Sequence, residues 1–163
     1  MFTPELIERA AALIALCRAR GLKIATAESC TGGLVAGLLT EIPGSSAVLE
    51  RGFVIYSNDA KRELLDVPEA TLAAFGAVSE QTARAMAQGA IAHSKVNLAV
   101  AITGIAGPDG GTAEKPVGLV HFACARRDGV VVALEKRYGA LSRRAIRLAS
   151  VGTALDLLEQ AAG

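Results

Sequence analysis

The segment Asn97 to Thr103 reads Asn-Leu-Ala-Val-Ala-Ile-Thr, an apolar run that carries no charge on either of its alternating faces. A strand built from it shows apolar side chains above and below, so it needs a layer of structure on each side. It therefore predicts the interior strand of a layered α/β domain. The rest of the chain supplies the layers. Thr3 to Arg20 places Leu6, Ile7, Ala10, Leu13, Ile14 and Cys17 on one helical face, with Thr3 as cap and Pro4 at the first helical position.

Gly21 to Ala27 reads as a short strand, and a helix begins near Thr31 and runs to the break at Pro43-Gly44-Ser45-Ser46. Gly52 to Tyr56 is β-branched and aromatic, which predicts a second strand, and Ser57-Asn58-Asp59 then opens a helix with Lys61 about one turn inside it. Pro68 to Phe75 reads as a short helix ended by Gly76. Ser79 opens another, with Ala83, Met86, Ala90 and Ile91 on its apolar face. Gly118 to Arg126 and Val130 to Arg137 alternate around Arg127-Asp128-Gly129, a hairpin signal, and Ser142 to Gln160 forms a last amphipathic helix. The order predicts one domain over residues 1–163, a mixed and mostly parallel sheet with helices on both faces and a late antiparallel hairpin.

Charge and composition narrow the function. The formal net charge is +1, so no global field recruits nucleic acid or an acidic membrane surface, and any anion site must be local. Although 52% of residues are hydrophobic, the apolar runs are too short to span a bilayer. The amino terminus lacks the basic and then apolar profile of a secretory signal, so a cytoplasmic location is expected. Cys17, Cys30 and Cys124 lie far apart without zinc-ligand spacing, and His93 and His121 are isolated. Neither a metal cage nor a histidine triad is expected.

Three segments carry candidate chemistry. In Ala25 to Gly33, a strand turns into a helix at Glu28-Ser29-Cys30-Thr31-Gly32. There the amides of the first turn lack partners and can stabilise an anion, while Ser29 reads either as a nucleophile or as an ordinary helix cap. Cys30 competes with it, since a thiol at a helix start can be activated. In Gly52 to Lys61, Tyr56 and Lys61 sit near one strand end, and a lysine kept neutral by burial can serve as base to a serine. A solvated lysine and a packing tyrosine are the plain alternatives. The third segment, Ile102 to Gly118, is a glycine-dense turn whose backbone can approach a ligand closely. It is neither a Walker loop nor a dinucleotide fingerprint, so neither ATP nor NAD is implied. Arg143 and Arg147, one turn apart, read as a phosphate clamp or as a solvated basic face.

Together, AESCTGG at Ala27 to Gly33, GFVIYSNDAK at Gly52 to Lys61, GAVSE at Gly76 to Glu80 and ITGIAGPDGG with KPVG at Ile102 to Gly118 closely resemble the CinA C-terminal domain family. Four motifs in order, across nearly the whole chain, are far more specific than any one of them. The family's stand-alone members are nicotinamide-nucleotide amidohydrolases. The resemblance implies a three-layer α/β/α sandwich that hydrolyses the carboxamide of nicotinamide mononucleotide to nicotinate mononucleotide and ammonia, with no metal or cofactor. It places the catalytic serine on Ser29, the lysine on Lys61 and a proton-transfer partner on Tyr56, leaving Cys30 a bystander. Amides near Thr31 and Gly32 would hold the oxyanion. Thr103 and the loop through Gly104, Gly107, Gly110 and Gly111 would hold the nucleotide, with Arg143 or Arg147 on its phosphate.

Two departures stand beside the match. Many relatives have Gly-Asp before the arginine matching Arg143, where this chain has Leu141-Ser142. Larger CinA proteins carry a further nucleotide-processing domain on the N-terminal side, absent from this sequence, so its activities are not carried over. The competing readings are a non-catalytic nucleotide-binding regulatory domain and an amidase of other specificity. The expected partners are the small-molecule substrate and further copies of the chain in a homo-oligomer, which the alanine-rich helices suit.

Overall fold

The computed structural model describes residues 2–163. Helix α1 (Pro4–Ala19) starts at Thr3, whose side chain accepts from the Leu6 amide. Strand β1 (Ile24–Glu28) follows, then α2 (Leu34–Thr40), a 3-10 turn at Ser45–Ala47 and β2 (Leu49–Val54). Three helices come next: α3 (Asn58–Leu65), α4 (Glu69–Phe75) and α5 (Glu80–Ala92). The chain ends with β3 (Leu98–Gly104), the hairpin of β4 (Leu119–Arg126) and β5 (Val131–Arg137), and α6 (Arg143–Ala162).

The five strands form one sheet in the order β2-β1-β3-β4-β5. β1 runs parallel to both β2 and β3, while β4 runs antiparallel to β3 and to β5. Strand β3 is buried along its length, as its doubly apolar sequence requires. Its alternation divides the core in two. Leu98, Val100 and Ile102 pack with Phe122 and Cys124 under α1, α2 and α6, and Ala99 and Ala101 pack with Ala123 and Ala125 under α5. The large side chains fill one interlayer space, and the alanines let α5 lie close on the other face.

Three boundaries differ from the sequence reading. β1 begins at Ile24 rather than Gly21 and gains Glu28. β2 covers Leu49–Val54 rather than Gly52 to Tyr56, although the Ile55 amide still reaches the Glu28 carbonyl at 2.9 Å. α2 starts at Leu34, not near Thr31, because Gly32 and Gly33 take φ of +61° and +95°, a left-handed turn that L side chains resist. No described helix is long and apolar enough to cross a membrane.

The connection after β1 leads to β2 on one side, and the connection after β2 carries the chain across to β3 on the other. The carboxyl ends of β1 and β3 therefore flank a switch point, the place where open α/β sheets form crevices.

Candidate active site

Alternation along β1 separates two adjacent polar residues. Ala25, Ala27 and the following Ser29 continue the face toward α3 and α5, and Glu28 points the other way, toward α2. Glu28 is fully buried, and its carboxylate accepts from the amides of Gly33 at 3.0 Å, Val35 at 3.0 Å and Ala36 at 2.9 Å. The entrance of α2 is thus capped from inside the protein. The Gly32 amide is also engaged, donating to the Ser29 carbonyl at 3.0 Å. The expected anion donors near Thr31 and Gly32 must be revised accordingly: among the described residues, the turn amides that donate to no acceptor are those of Cys30 and Thr31.

Lys61 sits on α3 one turn before Leu65, and both side chains are buried, with Lys61 1% exposed. Ser57 caps this helix by accepting from the Ala60 amide at 3.0 Å. The lysine Nζ lies 3.2 Å from Ser29 Oγ, 3.1 Å from the Ile55 carbonyl and 3.3 Å from the Tyr56 carbonyl. Among the described residues it pairs with no carboxylate. Burial pushes its ammonium below the usual lysine range, with the Cys30 sulfur opposing. The Ser57 carbonyl lies at 3.5 Å as well; in its neutral form the amine can donate to carbonyls while its lone pair accepts from the serine hydroxyl.

Cys30 lies beside this pair on the same cavity. Burial pushes its thiol up to about 11, so it stays protonated where a thiolate would be needed. Tyr56 contributes differently from the expectation. The residue is 63% exposed, and its hydroxyl accepts from Arg143 Nη2 at 3.2 Å. It is the Tyr56 carbonyl, not the phenol, that meets Lys61.

Ser29, Cys30, Tyr56 and Lys61 border a cavity of about 270 Å³ together with Thr103, Gly104, Gly107, Gly110 and Arg143. Thr31, Gly32, Gly111 and Arg147 do not line it. Thr103 donates from Oγ1 to the Ala77 carbonyl at 2.7 Å, and Arg143 Nη1 donates to the Gly107 carbonyl at 2.7 Å. Arg147 turns to the back of the serine turn, donating from Nε to the Cys30 carbonyl at 3.1 Å and from Nη2 to the Thr31 carbonyl at 2.9 Å. Thr31 is buried beneath the turn, its hydroxyl without a hydrogen-bond partner among the described residues.

Sequence reasoning passed over several of these parts. Ala77, Val78, Ile105, Ala106 and Asp109 also line the cavity. Lys115 holds that wall by donating to the carbonyls of Phe75 at 2.6 Å and Val78 at 2.8 Å. The GAVSE and KPVG segments were the available signal, since capping of α5 by Ser79 accounts for only one residue of the first and for none of the second. No group of three or more His, Cys, Asp or Glu side chains able to hold a metal occurs among the described residues.

A three-layer α/β/α domain with a polar crevice at the carboxyl ends of its parallel strands is the class these features define. Residues 7–162 match the CinA C-terminal domain, and the chain belongs to that family. Its sequence is 52% identical over 134 residues to the nicotinamide-nucleotide amidohydrolase PncC of Enterobacter agglomerans, covering 82% of this chain and 81% of that protein. It is 51% identical over 149 residues to a CinA-like protein of Geobacter sulfurreducens, covering 91% of this chain but only 36% of that longer relative. The crystal structure of the competence/damage inducible protein CihA from Agrobacterium tumefaciens superposes with a TM-score of 0.97 at 57% identity, covering 99% of this chain and 98% of that one.

Proposed function

We propose that this domain hydrolyses the carboxamide of nicotinamide mononucleotide, releasing ammonia and nicotinate mononucleotide. The observation that carries the reading is the 3.2 Å contact between Ser29 Oγ and the buried Lys61 Nζ at the edge of the cavity. The Enterobacter relative, a nicotinamide-nucleotide amidohydrolase matched over four fifths of both chains, suggests the substrate.

In the first half-reaction, neutral Lys61 takes the hydroxyl proton as Ser29 Oγ bonds to the carboxamide carbon. The carbonyl oxygen gains the negative charge and is met by the Cys30 amide, the donor immediately after the nucleophile. Collapse breaks the C–N bond, Lys61 returns its proton to the leaving nitrogen, and ammonia departs. Water then attacks the ester, giving a proton to Lys61 and freeing nicotinate mononucleotide as Ser29 Oγ recovers one. Thr103 and the loop from Gly104 to Gly110 hold the nucleotide, and Arg143, at the cavity border, faces its phosphate.

Ammonia release by the purified protein tests the reading. Wild type is expected to turn over nicotinamide mononucleotide, and Ser29→Ala and Lys61→Ala each to lose on the order of 10⁴-fold or more in kcat. Wild-type protein that binds the nucleotide without releasing ammonia contradicts it and favours a regulatory domain.

A further inference from the structure

We propose that Arg147 is a positioning residue that prepares the anion-stabilising amide of the site, rather than a phosphate ligand; this rests on the serine chemistry proposed above. A continuous chain of groups leads from the guanidinium to the cavity. Arg147 Nη2 donates to the Thr31 carbonyl at 2.9 Å. That carbonyl shares its peptide with the Gly32 amide, which donates to the Ser29 carbonyl at 3.0 Å. The Ser29 carbonyl in turn shares its peptide with the Cys30 amide, one of the two turn amides without an acceptor among the described residues.

A cation bonded to a peptide oxygen draws electron density from the nitrogen on the other side and makes its N–H a stronger donor. Two peptides in series pass the effect from Arg147 to the Cys30 amide, beside the carbon that Ser29 attacks. The second prong, Nε to the Cys30 carbonyl at 3.1 Å, fixes the plane of the next peptide, so the fork grips two carbonyls at once. Glu28 anchors the other end of the turn through the amides of Gly33, Val35 and Ala36. The turn is therefore held by a guanidinium on its carbonyls and a carboxylate on its amides, and its polarity is fixed before substrate arrives.

This arrangement separates the roles of two arginines that sequence treats alike. Arg143 borders the cavity, and Arg147, one turn further along α6, does not. Its loss should slow acylation without weakening the hold on phosphate.

Wild type, Arg147→Gln and Arg147→Lys are compared on nicotinamide mononucleotide and on p-nitrophenyl acetate, a phosphate-free ester that acylates an activated serine. Removing an oxyanion donor outright slows turnover by about 10²–10³, so Arg147→Gln is expected to lower kcat and the ester acylation rate by about tenfold or more, with KM for the nucleotide little changed. Arg147→Lys keeps the charge but not the planar fork, and should recover part of the loss on both compounds. In nitrogen-15 spectra, the Cys30 amide proton should move upfield in Arg147→Gln. A raised KM for the nucleotide with unchanged kcat and unchanged ester acylation would overturn the proposal in favour of phosphate binding. If Arg147→Gln does not fold, Arg147→Lys decides between the same two patterns. Wild type that reacts with the ester but spares the nucleotide contradicts the proposed substrate instead, and the arginine comparison is then decided on the ester.

Discussion

In the proposed chemistry Lys61 is the base, and its core-facing helix position is one where a charged ammonium is costly to keep. Burial disfavours the ammonium, so its folded value lies below the ordinary value of about 10.4. In the proposed mechanism the neutral form is the base, and raising pH increases its fraction. The expected outcome is a kcat/KM that climbs with pH through one ionisation below the usual lysine range and then levels. A profile that falls across this range would assign the active form to the ammonium. At this scale Ser29 was legible as a hydroxyl beside glycines where a strand ends, and Lys61 by its place about one turn into the helix after a strand, while its burial, against the solvated alternative, came only with the structure. What the sequence could not convey was direction. Tyr56 presents its carbonyl to Lys61 and its hydroxyl to Arg143, and Arg147 turns behind the serine while Arg143 faces the cavity. The direction of Arg147 depends on packing between α6 and the serine turn, more than a hundred positions apart, and that of Arg143 on Tyr56, 87 positions away.

Between elements, the position of Lys61 is set by how α3 seats against α5. At Gly89 a Cβ would come within 2.1 Å of the Leu65 carbonyl, so the two helices touch through backbone, at the end of the helix that carries the lysine. Gly89→Ala is expected to destabilise the fold by about 1–3 kcal/mol and to lower activity by pushing α3 outward. Thermal melting reads the first effect at about 2–4 °C per kcal/mol for a chain of this size, and ammonia release reads the second. Gly152→Ala in α6 is the control. There a Cβ would meet its nearest neighbour, Leu6 Cδ2, at 3.8 Å, so stability should be unchanged or higher by up to about 1 kcal/mol. Equal destabilisation by both substitutions would remove the close approach as the cause. Most elements could be read from caps and periodicity. Thr3, Ser57, Ser79 and Ser142 each accept from an amide three residues on, at the starts of α1, α3, α5 and α6. The start of α2 was the exception, because its cap is the buried carboxylate of Glu28 and not a serine at the turn.

For the molecule as a whole, the doubly apolar β3 was enough to require layers on both faces, and the late hairpin was enough to require a mixed sheet. Strand order was not available from sequence, because pairing β1 between β2 and β3 is decided by crossovers that local patterns do not encode. That order is what gathers the ends of β1 and β3 and the segment after β2 into one crevice, where the serine and lysine meet. The central claim is that this meeting makes the Ser29 oxygen, and not the neighbouring Cys30 sulfur, the atom that takes the acyl group. Turnover of nicotinamide mononucleotide quenched in acid and examined by peptide mass spectrometry measures this directly. The expected result is the nicotinate mononucleotide acyl mass on Ser29, lost in Ser29→Ala and retained in Cys30→Ala; the same mass on Cys30, surviving in Ser29→Ala, would contradict it.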